Sequence, residues 1–124
     1  MENIYIEGNG TLPTVELKVD GTIKFSGRAL PENPIQFFQP LIEWDKMLNT
    51  KDVHIEINMD YFNTSVSKQL YDFFKSIENN SNVENIYVKW LYEEGDDETL
   101  EAGRVYQEIL PRFRFSFHQY SDVT

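Results

Sequence analysis

The chain has 124 residues, no cysteine and a formal net charge of −10. This length suits one domain with a buried core, and the lack of cysteine excludes thiol catalysis, disulfide bonds and thiolate metal sites. The few lysine and arginine residues are scattered singly, and an acidic surface repels phosphate backbones and anionic lipids, so the sequence argues against nucleic-acid binding.

No membrane segment and no cofactor motif is visible in the sequence. The first residues contain no basic region followed by an apolar stretch, and no apolar run approaches the roughly 20 residues that a spanning helix needs. A phosphate-cradling glycine loop and a cluster of metal ligands are also missing. We therefore expect a cytoplasmic protein without membrane insertion, bound cofactor or metal.

The N-terminal third predicts a β-hairpin. Apolar residues alternate with polar ones from Val15 to Val19 and again from Ile23 to Phe25, which is typical of strands with one buried face. Asp20-Gly21 lies between the two stretches and predicts a type I′ turn, because it supplies positive φ angles. A shorter strand is expected before the hairpin, from Asn3 to Ile6.

The first helix is predicted to begin at Pro34. Asn33 can cap it, and proline is favoured at the first helical position. Pro40 lies within the helical pattern, so we expect one kinked helix that ends near Asn49. The apolar face predicted for it consists of Ile35, Phe38, Leu41, Ile42 and Leu48.

A central strand and a second helix meet in the middle of the chain. Alternation from Val53 to Met59 predicts a buried strand, and apolar residues at helical spacing predict a helix from Thr64 to Glu78. Asn63 can cap this helix by accepting a hydrogen bond from the N–H of Ser65 or Val66. We expect the helix to pack across the sheet through Leu70, Phe73 and Ile77.

Hydroxyl side chains crowd the start of this second helix, at Thr64, Ser65 and Ser67. Free N–H groups and the positive end of the helix dipole favour an anion at such a place, and a phosphate on Thr64 would lie in that field. Lys68 follows one turn later and can pair with a phosphate, although a solvated lysine is the commoner case.

The C-terminal third continues the alternation of strands and helices. It predicts a strand around Ile86 to Leu91, a helix from about Glu98 to Leu110, a last strand around Phe113 to Phe117, and a frayed tail from Ser121 to Thr124. The residues expected to pack the last helix inward are Leu100, Val105, Tyr106 and Ile109. The whole pattern predicts a single α/β domain over residues 1–124, with a mixed sheet, an N-terminal hairpin and about three helices.

Two polar features invite a catalytic or metal-site interpretation. The acidic turn from Glu93 to Glu98 lacks the ligand spacing of a calcium loop and is better explained as a solvated turn that caps the following helix. His54 and His118 lie on separate predicted strands with no titratable motif beside them, so neither suggests a triad or a metal site.

Five short sequence motifs are spread nearly from end to end of the chain. They are Gly27-Arg28 with Pro31-Glu32-Asn33, Pro40-Leu41 with Trp44, Tyr61-Phe62-Asn63-Thr64-Ser65 with Ser67-Lys68, Trp90 with Tyr92-Glu93-Glu94, and Leu100-Glu101-Ala102-Gly103 with Tyr106. In these motifs the chain resembles the SiaC-type regulatory phosphoproteins, a bacterial family whose fold is similar to the anti-sigma-factor-antagonist (STAS) domains. Val66 departs from the small polar residue that the family pattern favours.

The resemblance implies a function for the middle motif. In that family its threonine is the phosphorylated residue, which here is Thr64, with Ser65 and Ser67 as fallback acceptors. A dedicated kinase and a PP2C-type phosphatase set its state, and the unmodified form binds and activates a diguanylate cyclase or similar effector in c-di-GMP signalling and biofilm regulation. The residues we expect to bind a partner are Tyr61, Phe62, Asn63, Thr64, Ser65 and Lys68.

Alternatives remain open on the sequence alone. Thr64 can be no more than a helix-capping hydroxyl, and Tyr61 and Phe62 can be either exposed anchors for a partner or part of the core. The chain is then a small acidic enzyme or a structural subunit rather than a non-catalytic switch. The missing site chemistry weighs against the enzyme.

Overall fold

The computed structural model describes residues 1–121, so most of the predicted tail, Asp122 to Thr124, lies outside it. One six-stranded mixed sheet runs in the order β1 to β6. The strands are β1 (Ile4–Ile6), β2 (Thr14–Leu17), β3 (Thr22–Ala29), β4 (Asp52–Phe62), β5 (Asn85–Glu93) and β6 (Phe113–Tyr120). The first two pairings are antiparallel and the last three parallel.

Three helices connect the parallel strands. They are α1 (Pro34–Met47) between β3 and β4, α2 (Thr64–Glu78) between β4 and β5, and α3 (Asp97–Ile109) between β5 and β6. Parallel neighbours require crossover connections, and a helix is the usual one. The predicted α/β class, the hairpin and the three helices are confirmed, with β4 inside the sheet.

All three helices cover the same face of the sheet. The side chains of β4 that point to this face, from Val53 to Met59 in steps of two, are buried, as are Ile86, Val88 and Trp90 of β5. Phe38 of α1 and Phe73 of α2 meet the ring of Phe25, and Tyr106 of α3 meets Trp90. The predicted packing face of α2, through Leu70, Phe73 and Ile77, is confirmed.

The turn between β2 and β3 differs from the predicted type I′ turn. The backbone N–H of Gly21 donates to the carbonyl of Lys18 at 2.9 Å, and the N–H of Lys18 donates to Thr22 at 2.8 Å. Gly21 has a φ of 98°, whereas Asp20 does not have a positive φ. A three-residue loop with glycine in the left-handed position fits this pattern. It leaves Val19 in the loop rather than in the strand.

The helix α1 begins as predicted and differs at its apolar face. Asn33 accepts a hydrogen bond from the N–H of Gln36 at 3.1 Å, and Pro40 lies inside the continuous helix on its exposed side. The helix ends at Met47, two residues before the predicted end. Ile35 is 63% exposed, so its placement in the core was wrong. The prediction that Phe38, Leu41 and Leu48 are buried is confirmed, and Trp44 and Asp45 add to the buried face.

The helix α3 packs through a narrower strip than predicted. Val105 and Ile109 are 47% and 48% exposed, so the prediction that they face inward was wrong. The buried residues are Thr99, Gly103 and Tyr106, spaced four and three residues apart on one side of the helix. A Cβ on Gly103 would lie 2.6 Å from Nε1 of Trp90, so the glycine permits the close approach of α3 to β5.

Asp45 places a carboxyl group inside the core. Among residues 1–121 neither of its carboxylate oxygens has a hydrogen-bond partner, while its backbone carbonyl accepts from Nδ2 of Asn80 at 2.8 Å. Burial penalises the charged form and no partner compensates for the lost hydration. Burial therefore raises the pKa of the Asp45 carboxyl well above its usual value of 3.8.

We expect Asp45 to make the fold less stable as the pH rises. The unfolded chain releases this proton near pH 3.8 while the folded chain retains it. The stability that protonated Asp45 contributes is therefore complete below pH 3.8. It is lost as the pH rises towards the folded-state pKa, by at most about 1.4 kcal/mol per pH unit. In denaturant titrations from about pH 4 to 7, Asp45→Asn should lose less stability than the parent chain. The exposed Glu43→Gln variant on the same helix is the control, and equal pH dependence of Asp45→Asn and parent would contradict the expectation.

Candidate functional site

The strand β4 extends three residues beyond the predicted end at Met59, to Phe62, and contains a bulge there. Arg28 of β3 pairs with Asp60 and Ala29 pairs with Phe62, so Tyr61 is the extra residue. Its φ is 51°, the left-handed region that a residue with a bulky side chain rarely adopts. The bulge turns the side chain of Tyr61 away from the regular alternation of the strand.

The two aromatic residues at the strand end have different environments. Tyr61 is 64% exposed, and the guanidinium of Arg28 lies 4.6 Å from its ring centroid, a cation–π contact. Phe62 is half-buried and meets Trp90 edge to face at 6.3 Å. Of the two alternatives left open by the sequence, the exposed position applies to Tyr61 and the core-packed position to Phe62.

The start of α2 is capped as predicted. Oδ1 of Asn63 accepts a hydrogen bond from the N–H of Val66 at 3.0 Å, and its backbone carbonyl accepts from Ser67 at 2.9 Å. Thr64 and Ser65 are exposed in the first turn, which contains no acidic residue. Val66 is fully buried, so its departure from the family pattern lies in the core and not on the exposed surface.

Ser67 connects the start of α2 to α3. Its backbone carbonyl accepts a hydrogen bond from the hydroxyl of Tyr106 at 2.7 Å. Burial raises the pKa of the Tyr106 hydroxyl to about 12, so it stays a neutral donor. Lys68 faces elsewhere, with its ammonium 2.7 Å from the carboxylate of Asp72 in an exposed i,i+4 pair.

An open cleft of about 970 Å³ separates the start of α2 from the turn between β5 and α3. The cleft places the hydroxyl-rich helix start opposite the acidic turn from Glu93 to Glu98, a relation that the sequence did not predict. The lining residues are Asp60, Tyr61, Phe62, Asn63, Thr64, Ser67, Glu93, Glu94, Gly95, Asp96, Glu98, Thr99 and Ala102. Ser65 and Lys68 of the predicted set lie outside this lining.

Carboxylates dominate the electrostatics of the cleft. Five of them line it, and no lysine or arginine does. Asp96 also caps α3 as predicted, accepting from the N–H of Thr99 at 3.1 Å and from its hydroxyl at 2.7 Å. The carboxyl ends of two adjacent parallel strands, β4 and β5, meet at one edge of the sheet, and that geometry is the signal that joins the two segments.

The described residues contain no group of three or more histidine, aspartate or glutamate side chains that could hold a metal ion. His54 stacks on Tyr87 with ring centroids 4.9 Å apart, and Nε2 of His118 lies 3.1 Å from the hydroxyl of Ser116. Both histidines therefore pack or hydrogen-bond on the open face of the sheet. None of the three helices in residues 1–121 is long and apolar enough to cross a membrane.

We expect the bulge to reverse the usual order of glycine and alanine at Tyr61. A left-handed backbone costs an alanine about 1 kcal/mol relative to glycine, whereas in a regular strand glycine is the less stable by about 0.5–1 kcal/mol. Tyr61→Gly should therefore unfold at higher denaturant than Tyr61→Ala. Lys24, exposed on β3, is the control position, where the alanine variant should be more stable than the glycine variant. If the alanine variant is the more stable one at position 61 as well, the backbone of Tyr61 is unstrained.

Comparisons with known proteins give one family. A sequence model described as the SiaC family of regulatory phosphoproteins matches residues 6–120. The search of curated protein sequences finds no match.

Three solved structures are similar in fold. SiaC of Pseudomonas aeruginosa superposes with a TM-score of 0.81 at 20% identity, covering 97% of this chain and 100% of that one. The crystal structure of apo-SiaC from the same organism gives 0.77 at 20% identity, covering 95% and 99%. A chain from the crystal structure of the diguanylate cyclase SiaD in complex with its activator SiaC, also from Pseudomonas aeruginosa, gives 0.80 at 19% identity, covering 94% and 99%.

Proposed function

The chain belongs to the SiaC family of regulatory phosphoproteins, and on that premise we propose that it is a non-catalytic switch of the bacterial cytoplasm. A dedicated kinase phosphorylates Thr64, and a PP2C-type phosphatase removes the phosphate. The observation that carries the proposal is the position of Thr64, exposed at the first residue of α2 and on the lining of the cleft. There the N–H groups of the first helical turn can donate hydrogen bonds to an anion.

Thr64 is a better acceptor than the two serines that follow it. Ser65 is exposed but lies outside the cleft lining. Ser67 lines the cleft but is half-buried, and its backbone is fixed by the hydrogen bond from Tyr106. Thr64 alone combines exposure with a position on the lining, so a kinase can reach its hydroxyl without unwinding the helix.

The cleft also dictates what the kinase must supply. Phosphoryl transfer is catalysed by positioning and by positive charge around the transferred group. The described residues that line the cleft carry carboxylates and no cation. Metal ions and basic side chains of the kinase must therefore neutralise the developing charge, and the switch protein acts as a substrate without catalysing the transfer.

The partner of the unmodified form is a diguanylate cyclase or a similar effector, which the protein activates in c-di-GMP signalling and biofilm regulation. The fold is similar to that of SiaC, an activator of the diguanylate cyclase SiaD. We propose that the contact surface is Tyr61, Phe62, Asn63, Thr64, Ser65 and Lys68. Tyr61 supports this assignment, because an exposed aromatic ring held by a strained bulge and by Arg28 is preorganised for contact.

Phosphosite mapping tests the proposal. The protein is incubated with its cognate kinase, ATP and Mg²⁺, and the phosphate is located by mass spectrometry before and after treatment with the phosphatase. We expect phosphate on Thr64, none on Thr64→Ala, and unchanged incorporation into Ser65→Ala. Phosphate on Ser65 or Ser67 with Thr64 unmodified would overturn the assignment of the acceptor, and no incorporation at all would overturn the proposed switch.

A further inference from the structure

The two edges of the sheet differ in how they are protected. The strand β1 has three residues, whereas β6 has eight. Natural proteins blunt sheet edges with short strands, proline, lysine or bulges. Residues 113–120 contain no proline, lysine or glycine, and the pairing of β6 with β5 shows no register shift. The edge of the sheet at β6 is therefore long and regular.

The backbone groups at this edge can be assigned. The N–H of Glu94 donates to the carbonyl of Tyr120 at 2.7 Å, so the backbone of Tyr120 faces β5. Successive residues of a strand present their N–H and C=O groups to opposite edges. Phe115, Phe117 and Gln119 consequently direct theirs away from the sheet.

The start of β6 contributes no further N–H to this edge. Phe113 also faces outward, but its N–H donates to the carbonyl of Leu110 at 3.0 Å. Among residues 1–121, the outward N–H groups of the strand that have no partner are those of Phe115, Phe117 and Gln119. They are spaced evenly about Phe117, so a strand that pairs with all three is centred on that residue.

A second copy of β6 meets this requirement. Turned about a two-fold axis at Phe117, it presents the same three outward residues in the opposite direction. Phe117 then pairs with Phe117 of the second copy, and Phe115 pairs with Gln119. In antiparallel pairs of this kind the two residues exchange both of their hydrogen bonds. One register therefore satisfies all the outward N–H groups in both copies.

This register also places like surfaces together on the helix face. The rings of Phe115 and Phe117 stack with centroids 6.1 Å apart and stay half-buried. Antiparallel pairing about the axis keeps the helix face of one copy beside the helix face of the other. The two Phe117 rings then lie opposite each other, and aromatic pairs are among the stabilising cross-strand pairs.

The open face brings no like charges together in this register. Arg114 lies opposite Tyr120 of the second copy, and Ser116 lies opposite His118. No acidic residue occurs in β6. Like charges directly opposite each other destabilise a sheet, and two chains of net charge −10 avoid that cost by meeting at this strand.

A carboxylate of the second copy lies in the same row as Arg114. Glu93 stands beside Tyr120 on β5, so the row runs from Tyr87 and Arg114 to Tyr120 and Glu93 of the second copy. The guanidinium of Arg114 lies 5.4 Å from the ring centroid of Tyr87 on one side. On the other side, Glu93 is two strands away, about 10 Å between Cα atoms, which is within reach of two long side chains.

We propose that two copies of the chain associate through β6, antiparallel about Phe117, into one continuous sheet with six strands from each copy. The interface is isologous, since the same surface serves both copies. No residue of β6 lines the cleft. The association is therefore separate from the proposed switch at Thr64, and each can fail without the other.

Sedimentation of the full chain over a wide range of concentration tests the proposal, together with amide hydrogen exchange on the same samples. We expect a monomer–dimer equilibrium. When about nine-tenths of the chains are paired, exchange at Phe115, Phe117 and Gln119 should be about tenfold slower than in the monomer, because about one-tenth of the chains stay free. Exchange at Ser65, in the first turn of α2, should not change.

A proline variant tests the backbone pairing. Gln119→Pro removes one outward N–H from each copy, and proline is tolerated on an edge strand where its N–H would face away from the sheet. The monomer should therefore keep its fold, which circular dichroism checks, while the Kd of the dimer rises at least about tenfold. Gln119→Ala retains the N–H and should change the Kd by less than about threefold.

Charge reversal tests the register. Arg114→Glu faces Glu93 of the second copy, twice in each dimer, and should raise the Kd about tenfold. Adding Glu93→Lys should restore the parent Kd. Within one chain the rows of Arg114 and Glu93 are six residues apart along β5, about 20 Å, so this rescue can act only between copies. Lys24→Glu, the same change of charge on β3, is the control and should leave the Kd unchanged.

Four results would overturn the proposal. The first is a chain that stays monomeric up to about 1 mM. The second is a dimer that Gln119→Pro does not weaken, because another surface then forms the interface. The third is a dimer that Arg114→Glu weakens and Glu93→Lys does not rescue. The fourth is protection of the β6 amides only after a cyclase-type partner is added, which would identify that partner as the occupant of the edge.

Discussion

Replacing Phe73 with alanine is expected to lower the free energy of unfolding by about 3–5 kcal/mol, the range for truncating a buried aromatic side chain. Phe73 is fully buried on α2. Its ring meets Phe25 of β3 edge to face at 5.2 Å and 81°, and it lies 6.4 Å from the ring of Phe74. The truncation would therefore leave a cavity where α2 packs on the sheet, and close-packed neighbours relax only partly into such a cavity.

Ile35→Ala on α1 is the matched control for this truncation. Ile35 is apolar and was predicted to be buried, but it is 63% exposed, so its truncation should change stability by about 0.5 kcal/mol or less. Urea titrations of both variants, with two-state unfolding checked, give the comparison. A loss of less than about 1 kcal/mol for Phe73→Ala would mean that the packing face of α2 is assigned wrongly.

The difference between Phe73 and Ile35 shows where hydrophobic periodicity stops being informative. A strand or helix that crosses the middle of the sheet buries every residue of its apolar face, as β4 and α2 do, and there the sequence pattern predicted the elements well. Ile35 lies in the first turn of α1, and Val105 and Ile109 lie off the narrow buried strip of α3. Apolar residues at such positions follow the same spacing but meet solvent.

The candidate site was predictable in part. The cap by Asn63 and the start of α2 at Thr64 follow from local sequence, because a capping interaction joins residues three positions apart. The bulge at Tyr61 depends on the register between β3 and β4, and the acidic side of the cleft depends on two segments about 30 residues apart in the chain. Neither relation has a signature in the local sequence, so the sequence predicts the acidic turn only as a cap of the following helix.

Phosphorylation of Thr64 should abolish binding of the cyclase-type partner while the domain stays folded. The phosphate adds roughly 1.5 to 2 negative charges, and at the first residue of α2 the N–H groups and the helix dipole favour an anion. Carboxylates line the opposite side of the cleft and repel the phosphate towards solvent. The helix start itself has no acidic residue to repel it.

A partner surface shaped for the neutral hydroxyl would have to bury this dianion without a counter-charge. That penalty is about 3 kcal/mol or more, which corresponds to at least about a hundredfold loss of affinity. Thr64→Ala should bind the partner normally and should no longer be regulated by phosphorylation, because it removes only the hydroxyl that accepts the phosphate. Thr64→Asp should reproduce release only partly, because it carries one charge and fewer acceptor oxygens than a phosphate.

Calorimetric titration of a cyclase-type partner with four forms makes the comparison: unmodified, phosphorylated, Thr64→Ala and Thr64→Asp. Circular dichroism and thermal unfolding of each form establish that the fold is intact. Ser81→Ala serves as the control, because Ser81 is exposed beyond the far end of α2 and lies outside the cleft lining and the proposed contact surface. If the phosphorylated form binds as tightly as the unmodified one, partner binding does not depend on the state of the Thr64 hydroxyl. If that form is unfolded, release is a loss of structure, and the helix start does not tolerate the anion as its N–H groups predict.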